Sequence, residues 1–276
     1  MANNLPMEKQ VAIISNLAED MSIRAIERIT GVHRDTIMRL GIRVGEGCAR
    51  VLDTQMRNLN SANIQVDEIW GFIGKKQKNV TEDDSPELGD VWTFIAVDSD
   101  TKIVPCYKVG KRTLEHATNF ISDLAGRVNN RIQLSSDGLR AYTEAVEQAF
   151  GADIDYGQTI KTYATSGTYP DGKYSPGNVT SSRKTVVMGM PDVGKISTSH
   201  IEAQNLTVRM HVRRLTRLTN AFSKKLDNFK AAMGLHFAYQ NFVKRHTSLR
   251  MTPAMAAGLT PSFWSVLQLI ERAEIA

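Results

Sequence analysis

Apolar residues recur at helical spacing through the first 57 positions. Between Met7 and Glu19, Val11, Ile14, Leu17 and Ala18 share one face, which predicts an amphipathic helix. Ser22 is placed to cap a second, short helix whose Ile23, Ile26 and Ile29 turn inward. Gly31 ends it, and a third helix runs from about Arg34 through Ile37, Leu40 and Val44. A short helix, a glycine turn and a next helix make the pattern of a helix-turn-helix. A helical hairpin used for dimerisation has the same pattern. Glu27 fits a helix-turn-helix poorly, because the slot four residues before the glycine usually holds Ala. Asn58–Asn63 is polar and reads as a linker.

Beyond it the period shortens to that of strands. Ile64–Ile73, Val91–Val97 and Ile103–Val109 are rich in Val, Ile, Phe, Trp and Tyr and are separated by turn residues. A helix is expected from Thr113, then a strand ending at Asp137, then a helix through Leu139, Tyr142, Val146 and Phe150. Three meandering strands followed by helix, strand and helix is the order of a ribonuclease H-like core. The expected fold is therefore α/β: a mixed sheet flanked by helices, preceded by a small all-α helix-turn-helix domain. Residues 151–199 hold seven glycines and three prolines with little periodicity, and read as a long loop or irregular insertion. The expected organisation is a helix-turn-helix domain at 7–57 and a catalytic core at 62–220 that contains the insertion. A basic helical tail at 221–276 would pack on the core.

Charge sharpens this picture. The net charge is +5, a mild lean toward a polyanion, but it is unevenly placed. Residues 1–60 carry eight Lys+Arg against seven Asp+Glu, whereas residues 200–250 carry ten against two, so phosphate attraction concentrates late in the chain. Cys48 and Cys106 lie far apart and offer neither metal-ligand spacing nor a disulfide framework. No run approaches the roughly 18 apolar residues of a membrane span, and the first residues lack the charged-then-apolar pattern of a signal peptide. A cytoplasmic protein is expected.

Three carboxylates stand in separate, recognisable settings. Asp67 interrupts the apolar run Ile64–Ile73, where an unpaired carboxylate is costly to ionise and calls for a cation, a basic partner or a hydrogen-bond network. Asp137 closes a later strand before Gly138, a glycine that would let the chain turn sharply; without Asp67 and Glu202, a plain Asp-Gly turn or helix cap would be the favoured reading. Glu202 opens a basic helix whose face continues through Asn205, Arg209, Arg213 and Arg217, with Lys224 and Lys225 beyond. Together, Asp67, Asp137 and Glu202 could hold two hard cations, which favour oxygen ligands. Two such ions about 3.5–4 Å apart can activate an attacking oxygen and stabilise a leaving one in phosphoryl transfer. Glu68, adjacent to Asp67, should point to the opposite sheet face and act as a salt-bridge partner. Asp98 and Asp100 read as turn residues, and His200 either touches phosphate or caps its helix. Arg34, Arg39 and Arg43 on the third helix are candidates for DNA groove or phosphate contact, and Asn205, Arg209, Arg213, Arg217, Lys224 and Lys225 for a second DNA surface.

Several stretches resemble transposases of the insertion-sequence-one family, in the broad DDE group. Val66-Asp67-Glu68-Ile69-Trp70-Gly71-Phe72-Ile73-Gly74 is similar to its first catalytic strand, Val91–Asp98 to the strand after it, and Ser136-Asp137-Gly138 to its second acidic site. Ile201-Glu202-Ala203-Gln204-Asn205-Leu206-Thr207-Val208-Arg209, with Phe222-Ser223-Lys224-Lys225-Leu226, is similar to the third acidic site and basic tail. Asn241–Ala254 also resembles transposase ends. The resemblance spans about residues 64–262. It implies Asp67, Asp137 and Glu202 as catalytic metal ligands for two magnesium or manganese ions. It further implies cleavage of double-stranded DNA at the element's terminal repeats, then attack of the freed 3′ hydroxyl on target DNA. Pairing two ends implies at least a homodimer. One departure is that family members often carry an amino-terminal cysteine zinc finger, which two distant cysteines cannot build. The competing expectations are a catalytically inactive or domesticated DNA-binding repressor, and another ribonuclease H-like nuclease.

Overall fold

The amino-terminal stripes fold as α1 (Met7–Ala18), α2 (Ile23–Thr30) and α3 (Arg34–Gln55). The computed structural model describes residues 5–163, 179–216 and 219–276. The Ser22 hydroxyl accepts the Ala25 amide at 3.3 Å and caps α2, and Gly31 ends it at φ 68°, in the left-handed region that favours glycine. Glu27 accepts the Arg34 amide at 2.9 Å, so the residue that fits the motif poorly caps the first turn of α3 from across the connection.

α3 runs 22 residues, well past Val44, because its apolar stripe continues through Cys48, Val51 and Leu52. That second half is buried against later helices. Its end is tied down by the buried Arg127 guanidinium, which donates to the Leu52 and Met56 carbonyls at 3.4 and 3.3 Å and to Asp53 and Asp123 carboxylates at 2.8 and 3.0 Å. The expected polar linker is likewise held: Leu59 N donates to Arg127 O at 2.8 Å, and Asn130 Oδ1 accepts the Ser61 amide at 3.0 Å.

The sheet begins with β1 (Asn63–Ile73), β2 (Gly89–Asp98) and β3 (Tyr107–Gly110), an antiparallel meander. There follow α4 (Leu114–Ala125), β4 (Ile132–Ser136), α5 (Arg140–Phe150), β5 (Ile154–Tyr163) and β6 (Val179–Met188). Among the described residues the strand order is β3-β2-β1-β4-β5-β6, with β4 parallel to both β1 and β5, and β6 antiparallel on the edge. This is a mixed α/β fold with the meander–helix–strand–helix order expected of a ribonuclease H-like sheet. The remaining helices are α6 (Ser199–His211), α7 (Leu226–Ala238), α8 (Pro253–Ala256) and α9 (Val266–Ile275).

Strand alternation sorts β1 between two cores. Ile64 and Val66 join Phe94, Phe120 and Tyr142 beneath α4 and α5. Ile69 and Ile73 join Ile95, Ile201 and Phe229 on the face covered by α6 and α7, and that core continues into Ile13, Ile26 and Ile37 of α1–α3. Buried amide pairs fix the second face. Gln204 and Gln240 exchange hydrogen bonds at 2.7 and 2.6 Å, and Asn241 clamps both backbone polar groups of Val104 at 3.1 and 3.0 Å.

Two stretches depart from expectation. Ile103–Cys106 is a buried connection rather than strand, because its backbone is satisfied partly by the Asn241 side chain. Residues 151–199 are not irregular throughout. Ile154 and Tyr156 are buried and pair with β4, while the exposed β6 carries Ser, Thr, Arg and Lys and so lacks an apolar alternation to read.

Candidate active site

β1 and β4 run parallel only through Asn63–Gln65 and Gln133–Ser135, and then separate. Asp67 and Glu68 come midway along β1, just past its pairing with β4, and Asp137 follows the last residue of β4. The two strands connect to opposite sides of the sheet, β1 to β2 and β4 toward β5. A crevice of this kind is where open α/β sheets place their ligands. Carboxylate oxygens of Asp67, Glu68 and Asp137 all lie within 4.8 Å of one another.

The crowding has an electrostatic signature. Burial, then the charges of Glu68 and Asp137, push the Asp67 carboxyl up to about 7, and Glu202 adds to the repulsion. Glu68 is also raised, by burial and by Asp137, against the lowering effect of Arg112. Alternation does send Glu68 to the α5 face. There Arg112 Nε donates to Oε1 at 2.6 Å and Tyr142 OH to Oε2 at 3.0 Å. What strand geometry alone misses is that Asp137, past the end of the β4 pairing, comes near both neighbours. The signal was the adjacent acid pair itself, opposite a second acid at the end of a neighbouring strand.

Asp137 Oδ1 accepts the Leu139 amide at 3.0 Å, so the turn-forming role coexists with its place in the cluster. Gly138 does not take a left-handed conformation, and an added Cβ would meet only Ile160 at 3.6 Å; the turn does not need glycine for its dihedral angles.

α6 is docked by Gln65, two residues before Asp67. The Gln65 Oε1 accepts the His200 and Ile201 amides at 2.8 and 3.1 Å, capping the helix amino terminus against β1. This sets Asn205 where its Nδ2 donates to Asp67 Oδ2 at 2.8 Å, while its Oδ1 is buried without a partner among the described residues. Glu202, one turn earlier, is not in the 4.8 Å group. Its Oε1 is held by the Lys161 ammonium of β5 and by the Thr198 hydroxyl at 2.6 Å. His200 contributes a capped backbone amide, and its Nδ1 lies 3.3 Å from Lys102 Nζ. Asp98 accepts the Asp100 and Thr101 amides at 2.8 and 2.7 Å and is a turn residue, as expected.

The expected basic stripe is interrupted. α6 ends at His211, and Arg213 lies on a separate short turn, 3.7 Å from Asp20. Arg209 reaches inward to the Trp70 and Leu215 carbonyls, both at 3.4 Å. Lys224 and Lys225 are exposed ahead of α7, and Arg217 lies outside the described residues. Arg34, Arg39 and Arg43 are exposed along α3; Arg43 also donates to Gln10 at 2.9 Å and pairs with Glu274 at 3.3 Å. The structure thus gathers Asp67, Glu68 and Asp137 and places Asn205 and Glu202 on the adjoining helix. Among the described residues no helix is long and apolar enough to cross a membrane.

No known protein-family model matches the chain, and no curated protein does. Among solved structures it is similar to a piggyBac transposase synaptic complex with hairpin DNA, at 9% identity and TM-score 0.39, over 97% of this chain and 69% of that one. It is also similar to a Mos1 transposase paired-end complex, at 12% identity and TM-score 0.19, over 54% and 58% of the two chains. A pre-cleavage Mos1 transpososome matches at 12% identity and TM-score 0.21, over 56% and 60%. Similarity this low carries no argument about chemistry; the side chains must.

Proposed function

We propose that this chain is a DNA transposase of the DDE group, cleaving at element ends and joining the freed 3′ hydroxyl to target DNA. The observation that carries the reading is the convergence of Asp67 and Glu68, just past the stretch of β1 paired with β4, with Asp137 at the end of β4, and with Glu202 and Asn205 on the adjoining helix α6. A metal-free site of this kind is electrostatically unfavourable, as the raised Asp67 carboxyl attests. The donor set is all oxygen, including the unpartnered Asn205 Oδ1, and fits magnesium or manganese.

In this reading Asp67, Asp137 and Glu202 hold the ions, two in number. When bound, the ions supply Lewis-acid activation of the attacking oxygen and charge neutralisation at the leaving one. Asn205 fixes the rotamer of Asp67, and Arg112 with Tyr142 fixes Glu68 so that it adds negative charge without occupying the crevice. Glu202 would hold a cation only by giving up Lys161, whose ammonium would then be available to a DNA phosphate. Arg34, Arg39 and Arg43 of α3 would read the terminal repeats, and Asn205, Arg209, Arg213, Arg217, Lys224 and Lys225 would serve the DNA nearer the scissile bond. Assembly on two ends calls for at least a dimer.

The direct test is incubation of the purified chain with labelled duplex carrying the element's flanking repeats, with magnesium or manganese, beside Asp137→Asn. Nicks at the repeat ends and joined products from the parent alone are expected. Binding without any product, under conditions where a control transposase works, would instead favour a silent DNA-binding relative, in which the Lys161–Glu202 pair is permanent.

A second expectation concerns pH. The Asp67 carboxyl is raised in the fold from its ordinary 3.8 to about 7, so the folded state binds more protons than the unfolded one in between, and stability of the metal-free protein falls as pH rises through that window. Cation binding relieves this repulsion. Addition of magnesium should therefore raise the melting temperature more at pH 8 than at pH 5.5, and an equal rise at both would contradict metal ligation by Asp67.

A further inference from the structure

Away from the carboxylates, a cavity of about 830 Å³ lies between the α1–α3 helices and the segment joining α6 to α7, extending along α7. Its lining is chemically one-sided. Arg24, Arg213, Arg214, Lys224 and Lys225 border it, and no carboxylate does among the described residues. Arg213 is compensated from outside by Asp20 at 3.7 Å. Arg214 is not: it donates to the neutral Ser223 hydroxyl at 2.9 Å, no described carboxylate pairs with it, and burial lowers its pKa.

A second group points the same way. His236, on the cavity wall, is 5% exposed, and its Nε2 is buried without a hydrogen-bond partner among the described residues. Burial, with the His211 and Lys244 charges, pushes it down to about 3, so it is a neutral imidazole whose unpaired nitrogen can donate or accept. A half-buried arginine without a counter-charge and an orphaned ring nitrogen are costly in an empty site. An anionic ligand would offset both.

The rest of the wall narrows the ligand class. Met21, Ile23, Met38, Ile42 and Phe222 give an apolar surface that a bare phosphate would leave unused. The volume suits a ligand with a flat ring system as well as a charge. We infer that this cavity binds a nucleotide unit, its base against Met38, Ile42 and Phe222 and its phosphate toward Arg214, Lys224 and Lys225. The source is either a free mononucleotide or an unpaired nucleotide of a DNA strand. The inference rests on the DNA-processing reading only for the second source, and cavity binding requires neither the carboxylates nor cleavage.

The test is run on the full chain in EDTA, so that failure of catalysis cannot obscure it. Anisotropy of labelled DNA compares a blunt duplex with the same duplex carrying a five-nucleotide overhang, with thymidine monophosphate and inorganic phosphate as competitors. Met38→Trp fills the cavity; Lys224→Gln with Lys225→Gln, both exposed, repeats the test should the tryptophan impair folding. A strand source predicts at least a fivefold advantage of the overhang over the blunt duplex, lost in the variants while Asp137→Asn retains it. A free-nucleotide source predicts thymidine monophosphate binding, by isothermal titration, that the variants lose, with no overhang advantage. The inference is overturned if neither is seen, if both persist in the variants, or if inorganic phosphate competes as well as the nucleotide. Loss of all cleavage with an intact overhang advantage would sink the catalytic reading and leave this one standing.

Discussion

Asp67→Asn is expected to reduce metal-dependent nicking by about 10³-fold or more, yet to raise the melting temperature of the metal-free protein. The activity loss follows from the role proposed for the carboxylate. A bound cation contributes several kcal/mol of transition-state charge stabilisation, and each ~1.4 kcal/mol is a factor of ten in rate. The stability gain follows from the same crowding. Asp67 is raised by burial and by the charges of Glu68, Asp137 and Glu202, from 3.8 to about 7. At ~1.36 kcal/mol per pKa unit, the penalty at alkaline pH is on the order of 4 kcal/mol, part of which an asparagine avoids while its Oδ1 still accepts from Asn205. A gain of about 2 kcal/mol corresponds to roughly 4–8 °C for a chain of this size class. Scanning calorimetry at pH 8 in EDTA and a nicking assay on the same preparation check both halves. A variant that nicks like the parent would sink the ligand assignment. One that melts lower at pH 8 would mean that the carboxylate supports the fold rather than straining it, as a site selected for function would.

Much of this was legible because the local signals were strong and short in range. The meander and the β4–α5 unit announce themselves through Val, Ile and aromatic runs, and Ser22 and Gly31 bound α2 as cap chemistry requires. The acidic positions were visible as polar intrusions into those runs. What sequence could not supply was the third dimension at a point of divergence. Only once β1 and β4 part after Gln65 does Asp137 come near Glu68 as well as Asp67. Gln65 itself, which docks α6 through two backbone amides, reads as one more strand residue. β6 was hidden for another reason: an exposed edge strand has no buried face to impose alternation. Glycines 45 and 47 were an unused signal. Two glycines inside a long helix carry a propensity cost of roughly 1 kcal/mol each, and such positions usually have a packing reason.

That reason yields the second large effect: Gly45→Val is expected to lower the melting temperature by roughly 6–12 °C and to do so in a single transition. A Cβ on Gly45 would stand 2.1 Å from the Ala231 carbonyl oxygen of α7, and one on Gly234 2.4 Å from the Gly45 oxygen. The two helices therefore cross backbone to backbone, and neither atom is the yielding end of a side chain. Overpacking against backbone that cannot yield falls at the upper end of the usual cost, about 3 kcal/mol, which at ~2–4 °C per kcal/mol gives the stated range. Gly41→Ala is the control. Its Cβ would meet only Leu17 Cδ1, at 3.0 Å, which can rotate away, and the gain in helix propensity offsets the strain. The number of transitions carries the larger lesson. One apolar core runs from Ile13 and Ile37 through Ile69 to Phe229 and Leu269, so α1–α3 and the sheet should unfold together. An independent unit at 7–57 would instead give two transitions, of which Gly45→Val moves one. Calorimetry of parent and variant decides between them, and a single lowered transition would mean that the arginines of α3 are held rigidly to the body that carries Asp67, Asp137 and Glu202.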